Sequence, residues 1–328
     1  MLNDFISIGG LTEDIVFFAQ DGILLDNKGD ILKQRLLAFE HGAKINIKDY
    51  GHYFGGGASN SAVNLAKAGF KTACLARVGS DERAKRVVAN LSQHKIDTKN
   101  IIIDKKNDTG FSFILNNKKD RIIFTYRGSN DFLQVEKKHQ ALIKKYKWVY
   151  LSSLPVDCLG SLKNIFASKN KIAWNPGLSQ LSGDLSKILP FLKKTDIFAV
   201  NKDEALEMVK RNKKYLSSVF AKDDKFLNNS KNLIKILKSF GPDKVILTDG
   251  TQGAYFYDGD NFYHQGVIKG KKIVDTTGVG DAFNSTVVGS LEKYSGDFKR
   301  AMFLGVKNAS AVISQSGAQN GLLNFTKI

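Results

Sequence analysis

The chain of 328 residues has only two cysteines, Cys74 and Cys158, four prolines and two tryptophans. Two thiols in apolar surroundings make neither a disulfide framework nor a Cys/His zinc site, and small buried thiols are common in protein cores. No apolar stretch approaches the length needed to cross a bilayer, so no membrane partner is expected. The first ten residues, with an acid at Asp4 and glycines at Gly9 and Gly10, do not make a signal peptide, and a cytoplasmic location is expected. Solenoid repeats and low-complexity tails are missing too. What is present is ample core material: 42% hydrophobic and 10% aromatic residues, which speaks against a disordered chain.

A formal charge of +17 invites a nucleic-acid reading, because clustered Lys and Arg release condensed counterions when they meet phosphates. Here the charge is scattered. Pairs such as Lys105-Lys106, Lys118-Lys119, Lys137-Lys138, Lys144-Lys145 and Lys193-Lys194 fall at the ends or polar faces of expected elements, as solvated faces do. No nucleic-acid module is recognisable, so no specific nucleic-acid partner is expected.

Short apolar runs at 5–8, 73–78, 148–151, 172–174, 197–200 and 245–247 are mostly bounded by Gly, Pro, Asn, Asp or Ser. Between them lie segments of helical period at about 58–69, 81–94, 157–168, 203–211 and 229–240. That alternation predicts βαβ units around a mostly parallel sheet. Two stretches break it. One runs from 16 to 50, with Val16-Phe17-Phe18, a polar turn at 27–30 and a strand-like alternation at Lys44 to Lys48. The other, Phe111 to Leu115 and Arg121 to Tyr126 about a polar turn, predicts a hairpin. Strands leaving the main sheet at two places can pair into a small lid. The Lys-, Asn- and Asp-rich segment 211–232 predicts a surface excursion between helices.

The chemistry gathers in Val274 to Phe283. Gly278 and Gly280 alternate just before a helical pattern at about 281–294, so open backbone N–H groups and a positive helix end converge on an anion. Asp281, in the first turn beside that pocket, is placed to take a proton from an attacking hydroxyl. Taken alone, the same string reads as turn glycines and a helix cap. No Gly-Lys-Ser/Thr follows, so it is not a Walker A loop, and it opens no dinucleotide fingerprint.

Asp275 to Asp281 entering a helix, and Gly55-Gly56-Gly57-Ala58-Ser59-Asn60 before the helix Ala62 to Ala68, resemble the two signatures of the ribokinase-like, or PfkB, family of carbohydrate kinases. Further matches follow in the family's order, from Ser7 to Gln319. Asp14 looks like its acceptor-binding acid, Asn201-Lys202-Asp203-Glu204 like its Asn-x-x-Glu motif, and Val245 to Gly253 like its nucleotide strand and turn. The resemblance implies an α/β fold, a three-layer sandwich around a mostly parallel sheet with a small β lid. The main domain would comprise 1–15, 51–105 and 131–328, and the lid 16–50 and 106–130, a surface that in this family can also join two copies as a homodimer. It implies ATP-dependent phosphorylation of a sugar hydroxyl, with Asp281 as base and an anion hole at Gly278, Val279 and Gly280. Asp14, Gly56, Gly57 and Asn60 would meet the substrate. Asn201, Glu204, Thr248, Gly250, Gly253 and Asn308 would meet the nucleotide, with Glu204 holding Mg²⁺ largely through water. Asp275 and Thr277 fall at the family's monovalent-cation site, but Gly321 stands where ribokinases offer a hydroxyl, which argues against activation by K⁺.

The match has departures. Ribokinases put an Asn where this chain has Thr12 and a carboxylate where it has Ser153, the first lid segment is longer, and Trp174-Asn175-Pro176-Gly177 differs from the usual loop. Trp174 and the aromatics Phe17, Phe18, Tyr50, Tyr53 and Phe54 either stack on a base or a pyranose or belong to the core. Two alternatives therefore stand beside a sugar kinase: a nucleoside kinase of the same family, and a non-catalytic member that binds a metabolite.

Overall fold

Successive residues of the buried strands face opposite sides, and each side needs its own cover. In Asn3–Ile8, Ile6 and Ile8 enter one core while Phe5 enters another; in Lys244–Thr248, Val245 and Leu247 part from Ile246 in the same way. A computed structural model describes residues 2–18, 22–26, 35–117, 120–181, 183–212, 224–268 and 272–328. Its main sheet has eight strands in the spatial order Phe262–Gln265, Ala254–Tyr257, Lys244–Thr248, Ile197–Asn201, Lys171–Trp174, Tyr146–Leu151, Asn3–Ile8 and Thr72–Leu75. All neighbours are parallel except the two antiparallel pairings that add Ala254–Tyr257 and Phe262–Gln265 at one edge. One core takes Leu162 and Ile165 from helix Leu159–Phe166, Met208 and Val209 from Lys202–Arg211, and Leu233 and Leu237 from Ser230–Ser239. The opposite core takes Phe283 and Val287 from Val279–Lys293 and Met302 and Val306 from Phe298–Val312. The result is a three-layer α/β sandwich.

The two stretches that break the alternation meet in one place. Thr12–Phe18, Asp49–Gly55, Phe111–Asn117 and Asp120–Tyr126 form a four-stranded sheet in which Thr12–Phe18 lies parallel to Phe111–Asn117 and antiparallel to Asp49–Gly55. Its first strand in the chain starts at Thr12 and its second ends at Gly55, both a few residues beyond the bounds expected for the lid. The alternation at Lys44 to Lys48 does not make a strand: 43–48 have no regular structure, and pairing begins only at Asp49, where the Thr12–Phe18 partner is within reach. A separate hairpin pairs Ile23–Asp26 with Arg35–Ala38. The polar turn at 27–30 and residues 213–223 of the 211–232 excursion lie outside the described residues; the rest of that excursion includes helix Asp224–Leu227 and the start of Ser230–Ser239. Trp174 is wholly buried against Phe166 and Phe198, so it is a core residue and not a stacking platform. Among the described residues, no helix is long and apolar enough to cross a membrane.

Candidate active site

The parallel strands all run toward one edge of the sheet, so the loops after Ile8, Leu151, Trp174, Asn201 and Thr248 gather there, where open α/β sheets hold ligands. The loop after Gly10 leads into the small sheet, and Asp49–Gly55 leads directly into helix Gly57–Lys67. Two helix N-termini therefore meet at this edge, that of Gly57–Lys67 and that of Val279–Lys293.

Gly278 caps the second helix in the left-handed region (φ 70°), and a Cβ there would lie 2.3 Å from the Cβ of Ala318. Only glycine fits both demands. The first intrahelical bond runs from Ala282 N to Gly278 O, so the N–H groups of Val279, Gly280 and Asp281 have no helical acceptor. Gly280 is exposed, with open space where a Cβ would stand. Beside these amides is a cleft of about 200 Å³ lined by Gly278, Gly280, Asp281 and Asn284 from this segment and by Asn175, Asn201, Glu204 and Thr248 from three strand ends.

Asp281 is half-buried, and one carboxylate oxygen accepts a hydrogen bond from Asn60 Nδ2 at 2.8 Å. Burial raises its pKa above the ordinary carboxylate value, and the Asn60 amide works against that rise. Asp14, on the small sheet, is 6% exposed and accepts from the Thr12 hydroxyl at 3.1 Å. Burial raises its pKa, hydrogen bonds from Ser112 and Thr12 oppose the rise, and the charges of Asp275 and Asp281 add to it. Glycines make room beside both acids. A Cβ at Gly55 would stand 2.2 Å from Asp14 Oδ2, and one at Gly57 would reach Ser152 at 2.8 Å and Asp281 Oδ1 at 3.8 Å. Gly56 (φ 90°) passes so near the carbonyl of Gly10 that a Cβ would lie 2.3 Å from it.

Asn201 and Glu204 form a capping box at helix Lys202–Arg211: Glu204 N donates to Asn201 Oδ1 at 2.8 Å and Asn201 N to Glu204 Oε2 at 2.9 Å. Burial, helped by the charges of Asp281 and Asp203, lifts the Glu204 pKa to about 6, although the Asn201 N–H resists. Asp275 ties two loops together, accepting from Thr277 N at 2.8 Å and Gly317 N at 2.9 Å. The Thr277 hydroxyl is buried with no hydrogen-bond partner, as is Asn284 Oδ1.

Asn308 is not at the cleft. It is wholly buried, its Nδ2 donates to Asn64 Oδ1 and Thr286 Oγ1 at 2.8 and 2.7 Å, and its Oδ1 accepts from Leu323 N. Both donor hydrogens are engaged inside the fold, so the Asn308 side chain serves internal packing here and does not line the cleft. Gly253 is likewise buried at the turn between Lys244–Thr248 and Ala254–Tyr257, where a Cβ would lie 2.2 Å from Gln265 O, so glycine is a steric need there; it does not line the cleft. Gly250 faces open space beyond the cleft. Asn175 and Asn284 were missed by reading the sequence. Asn284 follows Asp281 by three residues, a helical spacing that puts both on one face. Asn175 directly follows a strand pointing at the site, a positional signal that needed the sheet order.

An anion-receptive helix N-terminus flanked by carboxylates at the carboxyl edge of a parallel sheet defines a class: α/β enzymes that handle phosphate groups. The pfkB family carbohydrate kinase model matches residues 29–324, and the chain belongs to that family. It is an ATP-dependent carbohydrate kinase. An uncharacterized sugar kinase of Archaeoglobus fulgidus is 27% identical over 79% of this chain and 98% of its own length. Among solved structures, the Methanocaldococcus jannaschii nucleoside kinase aligns with a TM-score of 0.75 at 20% identity, covering 99% of this chain and 97% of that one. Arabidopsis thaliana ribokinase complexed with ribose and ATP aligns at 0.76 and 16% identity, covering 99% and 97%. These likenesses establish a ribokinase-like fold.

Proposed function

We propose that the chain transfers the γ-phosphoryl group of ATP to a hydroxyl of a sugar, with Asp281 as the base. The observation that carries this reading is the coincidence at one helix tip of three open amides and a carboxylate held by Asn60. Phosphoryl transfer asks for alignment and charge neutralisation more than for covalent help. The acceptor hydroxyl sits between Asp14 and Asp281, beside Gly56, Gly57 and Asn60, where the glycines let the Gly10 carbonyl and Ser152 pack close behind the site. Asp281 takes its proton, while the N–H groups of Val279 and Gly280 hold charge that grows on the transferred group. The raised pKa values of Asp14 and Asp281 suit carboxyls that hydrogen-bond or deprotonate hydroxyls in a partly dry site. Thr248 and Asn175 line the cleft beside the nucleotide path.

The donor set fits Mg²⁺: Glu204, Asn201 and the orphaned Asn284 Oδ1 are hard oxygen ligands or their supports. When bound, the ion supplies charge neutralisation on the phosphates. Glu204 would hold it largely through water, since among the described residues no group of three or more His, Cys, Asp or Glu converges on one point. The buried, unpartnered Thr277 hydroxyl beside Asp275 supports a monovalent-cation site as well. The main sheet with its two helical layers is the catalytic body. The four-stranded sheet is its lid, closing over the acceptor and excluding water. Tyr50, Ile123, Phe124 and Tyr126 are exposed on that sheet, a surface suited to joining two copies.

A panel of pentoses, hexoses and nucleosides, read by ADP release, tests the assignment. Turnover with a free sugar supports it; turnover with nucleosides alone favours the nucleoside-kinase reading, which the Methanocaldococcus relative motivates. Ligand-raised melting temperature with no turnover would leave a metabolite-binding protein.

A further inference from the structure

We propose that Gln319 is a positioning residue that sets which way round the Asn60 amide lies, and through Asn60 holds the Asp281 carboxylate, from an anchor on helix Glu82–Gln93. The inference rests on Asp281 being the base. A primary amide is nearly symmetric in shape, so only its hydrogen bonds decide its orientation. Asn60, Gln319 and Asn90 are 5, 8 and 8% exposed, so water does not compete for these groups. Their bonds form one chain of fixed polarity. Asn90 Nδ2 donates to Gln319 Oε1 at 2.8 Å. Gln319 Nε2 donates to Asn60 Oδ1 at 3.2 Å and to Ser59 Oγ at 2.7 Å. Asn60 Nδ2 donates to Asp281 Oδ2 at 2.8 Å.

A turned Asn60 would set its oxygen against the carboxylate and its NH₂ against that of Gln319. If Gln319 turned to accommodate it, its NH₂ would face the Asn90 NH₂, so the mismatch would pass one link along the relay. Its backbone is tethered as well, since Lys67 Nζ donates to Gln319 O at 3.1 Å. Asn90 closes the chain on a helix whose N-terminus is capped by Asp81, which accepts from Ala84 N. Of the three amides only Asn60 touches Asp281, which lines the cleft, so Gln319 acts through another residue. Among the described residues, the ionisable groups that face Asp281 are Asp14 on the small sheet, Glu204 on helix Lys202–Arg211 and Tyr150 on strand Tyr146–Leu151. None of them supplies a positive charge, so the Asn60 donor is what favours the ionised carboxylate.

Gln319→Glu keeps the shape and reverses the polarity, whereas Gln319→Met keeps the bulk and removes it. A hydrogen bond to a charged group is worth about 10- to 100-fold in a rate that depends on it. Gln319→Glu should lose about that factor in kcat, with the acid limb of the kcat profile moved to higher pH and the KM for ATP within about twofold. Gln319→Met should lose less than Gln319→Glu. Wild-type kcat and pH profile in Gln319→Glu would overturn the inference. So would equal losses in both variants that track a lowered melting temperature, since packing alone would explain them. If Gln319→Glu does not fold, Asn90→Asp presents the same reversed polarity one link away and takes the same measurements. Asp281→Asn, assayed alongside, separates the two claims. Retained turnover there removes the base and this inference with it. A normal pH profile in Gln319→Glu beside an inactive Asp281→Asn removes this inference alone.

Discussion

Replacing Asp281 by Asn removes the proton acceptor and little else. The substituted amide still offers an oxygen to Asn60 Nδ2, now 2.8 Å from a carboxylate oxygen, so the local geometry can persist. A positioned general base contributes typically 10²- to 10⁴-fold, or about 3–5 kcal/mol of barrier. The helix amides of Val279 and Gly280 are untouched, and a negative charge beside the phosphate pocket is gone. ATP affinity should therefore stay within several-fold or tighten while kcat falls by that factor. Stability should move the opposite way. Burial raises the folded-state pKa of Asp281, so its ionised form costs stability at every pH above the unfolded carboxylate value. A neutral amide relieves that cost, and the melting temperature at pH 7 should rise. ADP release under saturating substrates, ATP titration calorimetry and thermal melts supply the three readings. A variant turning over within about tenfold of the wild type would refute Asp281 as the base.

Other perturbations follow from the same geometry. Gly278→Ala must accept a left-handed backbone and a Cβ 2.3 Å from that of Ala318; about 2–4 kcal/mol of strain and overlap should lower the melting temperature and, by moving the helix tip, weaken ATP binding together with kcat. Glu204→Gln should flatten the pH dependence of the ligand-free protein: with a folded pKa of about 6 against an ordinary 4.5, Glu204 binds more protons folded than unfolded between those values, so wild-type stability falls by about 1–2 kcal/mol as pH rises through that window. A wild-type melting curve independent of pH from 4.5 to 6.5 would contradict this. Arg86→Leu breaks the two bonds of 2.7 and 2.9 Å to Glu13, which is 1% exposed, leaving Arg83 at 3.4 Å and His52 at 3.8 Å. It should cost about 3 kcal/mol in urea unfolding and, because Glu13 neighbours Asp14 on the strand, raise the acceptor KM more than the ATP KM.

Much of the main sheet was legible because its signals are local. Apolar runs bounded by turn residues, and caps such as Asp81, Asn201 and Asn229, mark strands and helices whatever their partners. The edge strands Ala254–Tyr257 and Phe262–Gln265 were missed: the first is a short run, Ala-Tyr-Phe-Tyr, of the kind that marks a strand, while the second mixes aromatic with polar residues and gives no such signal. Lys44 to Lys48 misled for the converse reason: alternation is necessary for a half-buried strand, but pairing needs a partner, and the strand begins at Asp49. Asn308, read as a nucleotide contact, is polar for an internal reason that only its neighbours reveal.

By itself the amino-acid order determined the α/β class, the glycine-flanked helix tip and the kind of chemistry a carboxylate there can do, because backbone freedom, helix capping and side-chain acidity are properties of short segments. Tertiary structure alone decided that Asn60 meets Asp281 across 221 positions, that Gln319 stands behind it, and that Trp174 and Asn308 turn inward. Those contacts depend on strand order and on which hydrogen-bond donor faces which acceptor, and such pairings are set only when distant segments pack.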